Sequence, residues 1–315
     1  MRAALAAILT LAVLTLAAPA QASILNGKML TQCGPTRVGN IDTIVSPGTT
    51  SAHEHTGAGS DGWTTTSLFP ELFAAPTECA IPANHSEYWA PTIINGSTHY
   101  GMFAFHVYYG AFGKDTRAIL GGRIMPFPQG LVIVAGNRTG SSPPSSSVAT
   151  WRCTNETHIG RTIPSTCGTS SVKLTFSYPS CWTGKSLDSA NHESHMSYPV
   201  TMTLSDGSVV KGCPPTHPVA VPQLNAEFLY PPGAAGGRLS ADEPGDLPGT
   251  KTHVDYISGW DVGVLSQIAN CLSDPAHTKD GVAECGVVTT AGLATSVQRT
   301  GMDYRYVNST GGVLP

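Results

Sequence analysis

Eight cysteines constrain the fold of this chain more than any other feature of its sequence. An even number of cysteines in an exported chain indicates a framework of disulfides that braces a loop-rich domain. Because short loops close most easily, the spacing favours three local pairs and leaves a fourth. These pairs are Cys153–Cys167, Cys181–Cys213, Cys271–Cys285 and Cys33–Cys79. No Cys-x-x-Cys motif occurs, so the spacing disfavours a zinc ribbon.

The N-terminal residues have the pattern of a secretory signal peptide. Met1-Arg2 is followed by an apolar run from Ala3 to Ala18 and by Ala20-Gln21-Ala22, a small-x-small cleavage site. We therefore predict a signal peptide over residues 1–22, cleavage after Ala22, and one mature domain over residues 23–315 that is secreted to the extracellular space, or to the periplasm if the cell has a second membrane. No later stretch approaches the roughly 20 apolar residues that a transmembrane helix needs.

The composition favours a loop-rich, mainly β protein. Charged residues make up only 12% of the chain, while there are 34 glycines and 24 prolines. We expect a jelly-roll-like β-sandwich with long disulfide-braced loops and one or two short helices. One helix is predicted over Asp261 to Leu272, where apolar residues recur with a period of 3.6 and Asp261 can cap the first turn. Lysine and arginine form no cluster, which excludes nucleic-acid binding. We expect a monomer.

A long loop between two predicted strands holds the densest group of reactive side chains. The segment from Tyr178 to Pro199 lies between strands predicted at Lys173 to Tyr178 and at Val200 to Leu204. Such loops inside compact domains are commonly functional. Its candidate residues can supply metal ligands or an acid–base group. They are Asp188, His192, His195 and Met196. The structural alternative is a disulfide-anchored loop whose histidines only bind the backbone.

Two other segments carry pairs of candidates spaced two residues apart. His53 and His55 would share one face of a strand, as would His253 and Asp255. A His-x-His pair on a strand face is a common way to hold zinc or copper, whereas the structural alternative is one buried and one solvated histidine in a turn. Asp255 is expected to bind metal, orient a histidine or act as a base.

The proline-rich stretch after Cys213 contributes one more candidate. His217 lies in Pro-Pro-Thr-His-Pro, a rigid segment that can hold a ligand in place, although a capping role fits it equally well. In a β-sandwich the loops at one end converge, so all the candidates can meet there. Six imidazoles are too many for one structural zinc, which favours a catalytic metal centre or a metal beside a His/Asp acid–base pair.

The motifs together resemble one protein family. The matching segments are Ser51-Ala-His-Glu-His, Ser86-Glu-Tyr-Trp-Ala-Pro, Ser180-Cys-Trp-Thr-Gly-Lys-Ser-Leu-Asp-Ser-Ala-Asn-His-Glu-Ser-His-Met-Ser-Tyr-Pro, Cys213-Pro-Pro-Thr-His-Pro-Val and His253-Val-Asp-Tyr-Ile-Ser-Gly-Trp-Asp. In this order they resemble the DUF1996 family of secreted actinobacterial and fungal proteins, which has no settled activity. The chain departs from the family pattern at Gly57 or Ala58 and at Thr183. The resemblance implies one shared site made of His53, His55, Asp188, His192, His195, His217, His253 and Asp255.

These observations lead to one main hypothesis and two rivals. The main hypothesis is a secreted protein with a copper or zinc site, an oxidoreductase, hydrolase or lyase that acts on an extracellular polysaccharide. In it His53, His55, His195, His217 and His253 hold the metal, and Asp188, His192 and Asp255 carry the chemistry. The first rival is a non-catalytic glycan-binding module whose Tyr88, Trp89, Trp182 and Trp260 stack on sugars, although core packing is the commoner role for a pair such as Tyr88 and Trp89. The second is a structural protein of the cell envelope.

Overall fold

The computed structural model describes residues 28–110, 123–203, 205, 207 and 209–273. The predicted signal peptide at residues 1–22 and the predicted disulfide partner Cys285 lie outside these residues. Within them the protein is mainly β, and its strands form antiparallel sheets. No helix among the described residues is long and apolar enough to cross a membrane.

One layer of the fold is a six-stranded antiparallel sheet. Its strands alternate buried and partly exposed side chains, the pattern expected of a sheet with one face on the core and one near solvent. In spatial order they are β1 (Lys28–Cys33), β7 (Ala104–Gly110), β17 (Gln223–Tyr230), β11 (Val172–Ser177), β9 (Ala149–Cys153) and β10 (Ile159–Gly160).

The other layer is a five-stranded antiparallel sheet, and it differs from the first because both of its faces are covered. Strands β3, β4 and β19 are buried at every position. The strands in spatial order are β2 (Pro35–Gly39), β3 (His55–Gly59), β4 (Glu87–Pro91), β19 (His253–Ile257) and β8 (Val132–Gly136).

The side-chain period of two divides the five-stranded sheet into an inner and an outer face. Tyr88 and Tyr256 of the inner face belong to the main core, where the Tyr88 ring lies 4.7 Å from that of Phe105 in the six-stranded sheet. The two sheets therefore pack face to face as a β-sandwich. Trp89 of the outer face belongs to a second, smaller core, where its ring lies 5.3 Å from that of Trp63 in a covering loop.

The remaining elements are short. Two helices are described, and the residue before the longer one caps it as predicted, because the Asp261 carboxylate accepts a hydrogen bond from the amide of Val264 at 3.0 Å. The elements are α1 (Phe69–Ala74), α2 (Val262–Ser273), a 3₁₀ turn (Pro232–Ala234), β5 (Ile93–Asn95), β6 (Thr98–Tyr100), β12 (Cys181–Trp182), β13 (Met196–Ser197), β14 (Val200–Thr203), β15 (Val209–Gly212), β16 (Val219–Ala220) and β18 (Arg238–Leu239).

Three of the four predicted disulfides are confirmed. They are Cys33–Cys79, Cys153–Cys167 and Cys181–Cys213. Cys271 is also disulfide-bonded, and its predicted partner lies outside the described residues. The Cys181–Cys213 bond anchors the long loop that follows β12, so the segment with Asp188 and His192 is an ordered part of the fold.

Candidate metal centre

The outer face of the five-stranded sheet brings two histidines together from different strands. His55 begins β3 opposite Pro91 of β4, and Asp255 of β19 lies opposite Trp89. Continuing that antiparallel register by two residues places His253 beside Pro91 as well. The Nε2 atoms of the two histidines lie 3.4 Å apart. Pairing of β3, β4 and β19 therefore creates this contact.

A third histidine completes the group from the loop before β3. The Nε2 atom of His53 lies 3.2 Å from that of His253, and the His53 ring centroid lies 4.3 Å from that of His55. The sequence predicted both residues of the His-x-His pair on a strand, but β3 begins only at His55. His55 and His253 are fully buried, whereas His53 is partly exposed. The group consequently has a closed side and a side that faces solvent.

The separations between these nitrogens are those of ligands around one metal ion. The three ligand atoms all lie within 4.8 Å of one another. Zinc–nitrogen bonds of about 2.0–2.1 Å in tetrahedral geometry place two ligands about 3.3–3.4 Å apart. The contacts at 3.2 and 3.4 Å match that spacing. His53, His55 and His253 can therefore hold a metal ion.

A backbone hydrogen bond fixes the tautomer of His253. Its Nδ1 atom donates to the carbonyl oxygen of Lys251 at 2.7 Å, so in the neutral ring the lone pair is on Nε2. The Lys251 amide in turn donates to the buried carboxylate of Asp242 at 2.8 Å. That carboxylate also accepts hydrogen bonds from the amides of Leu239 and Gly249. Asp242 thus holds the turn that orients the His253 ring.

Electrostatics keep the three rings neutral. Burial, followed by the charge of Arg138, lowers the pKa of His53 to about 4. Burial, with the neighbouring His53 next in importance, lowers the pKa of His253 to about 3. Burial also holds the pKa of His55 well below its ordinary value. Neutral imidazole is the form that binds metal, so near neutral pH protons do not compete strongly for these lone pairs.

Asp255 lies beside the three histidines and has no hydrogen-bond partner among the described residues. It is completely buried, and neither carboxyl oxygen forms a hydrogen bond. Its Oδ2 atom lies 4.0 Å from Nε2 of His253, which is too far for a hydrogen bond. Burial raises the pKa of this carboxyl well above its usual range, and the charge of Asp42 adds to the effect. A buried carboxyl without a partner is unusual because its desolvation is not compensated.

The remaining candidates form a second group at the edge of the same sheet. Nδ1 of His192 lies 2.8 Å from Oδ2 and 3.0 Å from Oδ1 of Asp188. His195 is buried and uses both ring nitrogens, on the Val132 carbonyl at 2.7 Å and on the Ser189 hydroxyl at 3.0 Å. We refer to Asp188 and His192 as the loop dyad.

His217 lies further out, at the surface. It is partly exposed, and its Nε2 atom binds the carbonyl oxygen of Ser194 at 3.0 Å while Nδ1 contacts Thr216 at 2.9 Å. Neither His195 nor His217 belongs to the three-histidine group. Met196, the sulfur-bearing candidate, is buried in the core between the sheets.

Sequence reasoning missed three charged residues around the site. Arg138 lies two residues after the end of β8, and its charge acts on His53, His253, Asp42 and Asp255. Its Nε atom lies 3.4 Å from the carboxylate of Glu193. Asp42, whose carboxylate accepts hydrogen bonds from the amides of Ile44 and Val45, is the third. No sequence motif marks these positions, because sheet pairing brings them to the site.

The aromatic residues proposed to stack on sugars are mostly unavailable. Tyr88, Trp89 and Trp260 are completely buried. Trp182 remains partly exposed, and its Nε1 atom donates to the Ser186 carbonyl at 2.7 Å. The sequence-based assignment of the first three to a glycan surface is therefore wrong, because two sheets and a loop cover them.

Comparison with known proteins gives one match. No curated protein and no solved structure matches this chain. The model of a family described as a domain of unknown function, DUF1996, matches residues 42–260. That range contains the whole three-histidine group, Asp255 and the loop dyad, and it covers more than half of the chain. The chain therefore belongs to the DUF1996 family, as the sequence motifs had indicated.

Proposed function

We propose that this protein is a secreted metalloprotein that binds one zinc or copper ion through His53, His55 and His253 and uses it to act on an extracellular polysaccharide. The observation that carries the proposal is the convergence of three Nε2 atoms, with contacts of 3.2 and 3.4 Å. Imidazole ligands suit both metals. The reaction class stays open among oxidation, hydrolysis and lyase chemistry, as the donor set is compatible with each.

Hydrogen bonding alone does not account for the three-histidine group. Because Nδ1 of His253 donates to Lys251, its Nε2 atom has one lone pair and can accept only one hydrogen bond. Two nitrogens, those of His53 and His55, nevertheless approach this single lone pair. A cation between the rings satisfies all three nitrogens at once.

The ligand set favours a catalytic over a structural ion. Structural zinc sites are closed by four protein ligands, whereas catalytic sites use three and keep a position open. Here three histidines converge, one of them partly exposed, and Asp255 lies nearby. With a dication bound, we expect Asp255 to ionise and accept a hydrogen bond from a molecule in the open position.

The choice of a polysaccharide rests on the predicted export of the chain, since the family has no settled activity. The rival hypothesis of a glycan-binding module requires exposed aromatic side chains, and of the four that it named only Trp182 is partly exposed. The buried histidines and carboxyl group have no role in either rival. A metal-dependent function accounts for them.

Elemental analysis tests the metal site. The mature chain is equilibrated with Zn²⁺ or Cu²⁺, desalted and analysed beside His53→Ala and the matched control His217→Ala, which removes a histidine that is also partly exposed but lies outside the group. We expect one metal ion per chain in the wild type and in the control, and a loss of at least tenfold in affinity for His53→Ala. A metal-free wild type, or equal binding by all three proteins, contradicts the proposal.

A second measurement addresses the substrate. The metal-loaded chain is incubated with a panel of neutral and acidic polysaccharides, and new reducing ends, unsaturated ends or oxidised ends are counted with and without a chelator. We expect at least one polymer to be cleaved only by the metal-loaded wild type. Tight metal binding without cleavage of any polymer would support the metal site and contradict the assignment of a polysaccharide substrate.

A further inference from the structure

We propose that the loop dyad carries the proton-transfer step at the open side of the metal centre, with the Nε2 atom of His192 as the group that accepts and returns the proton. This inference rests on the proposed metal site. It assigns a role to two side chains that the three-histidine group does not use.

The backbone places the dyad next to the site. Val132 and Val134 of β8 donate hydrogen bonds to the carbonyl oxygens of Leu187 at 3.0 Å and of His192 at 3.4 Å. The loop therefore lies along the edge of the sheet that β8 forms. Val134 lies opposite Asp255 in the sheet, so His192, Val134 and Asp255 follow one another across neighbouring chain segments, at spacings of about 5 Å.

The charged groups around the dyad are those around the metal centre. Asp42 interacts electrostatically with both His192 and Asp255. Glu193, the residue after His192, acts on Asp255 and forms an ion pair with Arg138, and Arg138 in turn acts on His53 and His253. His195 lies on the inner side of the loop and also interacts with His192. The dyad and the three histidines therefore share one electrostatic environment.

The backbone of His192 is held in a conformation that few residues adopt. Its φ is +61°, and Glu156 is the only other described residue besides glycine with a positive φ. Such strain is uncommon and persists where the surroundings enforce it, often at functional sites. Here a hydrogen bond from the His192 amide to the Ser189 carbonyl at 2.8 Å closes the turn. The turn brings Nδ1 of the ring onto both oxygens of Asp188.

The dyad has the composition of an acid–base pair. Asp188 fixes Nδ1 as the protonated nitrogen of the neutral ring, which leaves the lone pair on Nε2. Among the described residues Nε2 of His192 forms no hydrogen bond, and the side chain is 26% exposed. It can take a proton from a water molecule or a substrate hydroxyl at the open side, while Asp188 stabilises the imidazolium, and then give the proton to the leaving oxygen.

Nuclear magnetic resonance of the histidine Cε1 protons tests the placement. The pKa of His192 is measured in the mature chain with and without saturating Zn²⁺, and His106, on the outer face of the other sheet, is the control. A dication within several ångströms lowers the pKa of a histidine by about one pH unit or more. We expect that fall for His192 and no change for His106. Equal behaviour of the two histidines, with one Zn²⁺ bound per chain, overturns the placement.

Cobalt substitution tests the proton-transfer role. The visible spectrum of the Co²⁺-loaded chain is titrated with acid and base for the wild type, His192→Gln and Asp188→Asn. We expect a spectral change at the pKa of His192 in the wild type, its loss in His192→Gln, and a shift to lower pH in Asp188→Asn, with Co²⁺ affinity retained within about threefold. Identical pH profiles in all three proteins overturn the role, whereas failure to bind Zn²⁺ or Co²⁺ overturns the metal site itself.

Discussion

The two outer faces of the sandwich differ in the exposure and the pairing of their ionisable residues. On the six-stranded sheet, Nζ of Lys173 lies 3.0 Å from one oxygen of Glu227, and Nδ1 of His106 lies 3.6 Å from the other. All three side chains reach solvent, with 18–26% of their surface exposed. On the five-stranded sheet, His253 and Asp255 are 1% and 0% exposed, and Asp255 has no hydrogen-bond partner among the described residues.

This difference shows that the protein itself supplies no compensating partner for the ionisable groups of the buried face. Charges on the six-stranded sheet balance one another and need nothing further. The five-stranded sheet concentrates three neutral imidazoles and a carboxyl group in a place where desolvation is not compensated by the protein. A bound cation would offset the desolvation of both the imidazoles and the carboxyl group. The comparison of the two faces therefore favours a metal site over a larger network of polar side chains.

The largest expected effect is the response of stability to metal. Because a ligand that binds only the folded state stabilises it, free Zn²⁺ at about 1,000 times its Kd should raise the free energy of unfolding by about 4 kcal/mol. Urea unfolding with and without Zn²⁺ measures this increment. We expect His253→Ala to lose it and Glu227→Gln, on the other face, to keep it. Equal increments in both variants would mean that the two faces do not differ in this way.

The next effect separates metal binding from stability within the buried face. Asp255→Val removes two buried oxygens that have no hydrogen-bond partner and places a β-branched side chain in a strand. We expect the metal-free variant to be more stable than the wild type by about 1–2 kcal/mol and to bind Zn²⁺ more weakly. Denaturation of both proteins in a chelator measures the first change, and Zn²⁺ titration measures the second. A metal-free variant that is less stable would indicate that Asp255 has a structural role.

The sequence predicted those parts of the site that depend on local spacing. His253 and Asp255 were expected to share a strand face, and a period of two brings them within 4.0 Å. Cys153–Cys167 and Cys181–Cys213 followed from loop lengths, and Cys33–Cys79 was the pair that remained. Sequence alone does not reveal that the Val132 carbonyl engages His195, since this contact requires a loop to pair with β8 over 63 residues of sequence separation. Arg138 could not be recognised from the sequence for the same reason. It belongs to no motif, and only the assembly of the sheet brings it close to the histidines.

A smaller effect concerns the six-stranded sheet and the change in its contribution to folding stability at low pH. The contact with His106, together with Lys173, lowers the pKa of Glu227 to about 2, from an ordinary value of 4.5. A carboxyl whose pKa is lower in the folded state stabilises the fold above pH 4.5, and the contribution is lost as pH falls towards 2. Because solvent screens this pair, we expect Glu227→Gln to cost about 1 kcal/mol at pH 6 and nothing near pH 2. Unfolding measured across that range, beside the wild type, tests the slope.

The smallest effect concerns Glu87 on the five-stranded sheet, where we expect the pH dependence of stability to have the opposite sign. Burial raises the pKa of Glu87 well above its ordinary value, although the Thr36 hydroxyl and the Ser60 amide contact its two oxygens at 2.8 and 2.7 Å. A carboxyl with a raised pKa in the folded state favours folding fully below pH 4.5 and progressively less as pH rises through the folded value. Glutamine can donate its amide to Thr36 and accept from Ser60, so Glu87→Gln should leave stability unchanged at pH 4 and increase it at pH 8. Because glutamine is itself a polar group that must be buried, we expect the gain to be smaller than the loss at Glu227. A decrease in stability at pH 8 would show that Glu87 is ionised in the folded protein, and the contrast between the two faces would then apply only to the residues around the histidines.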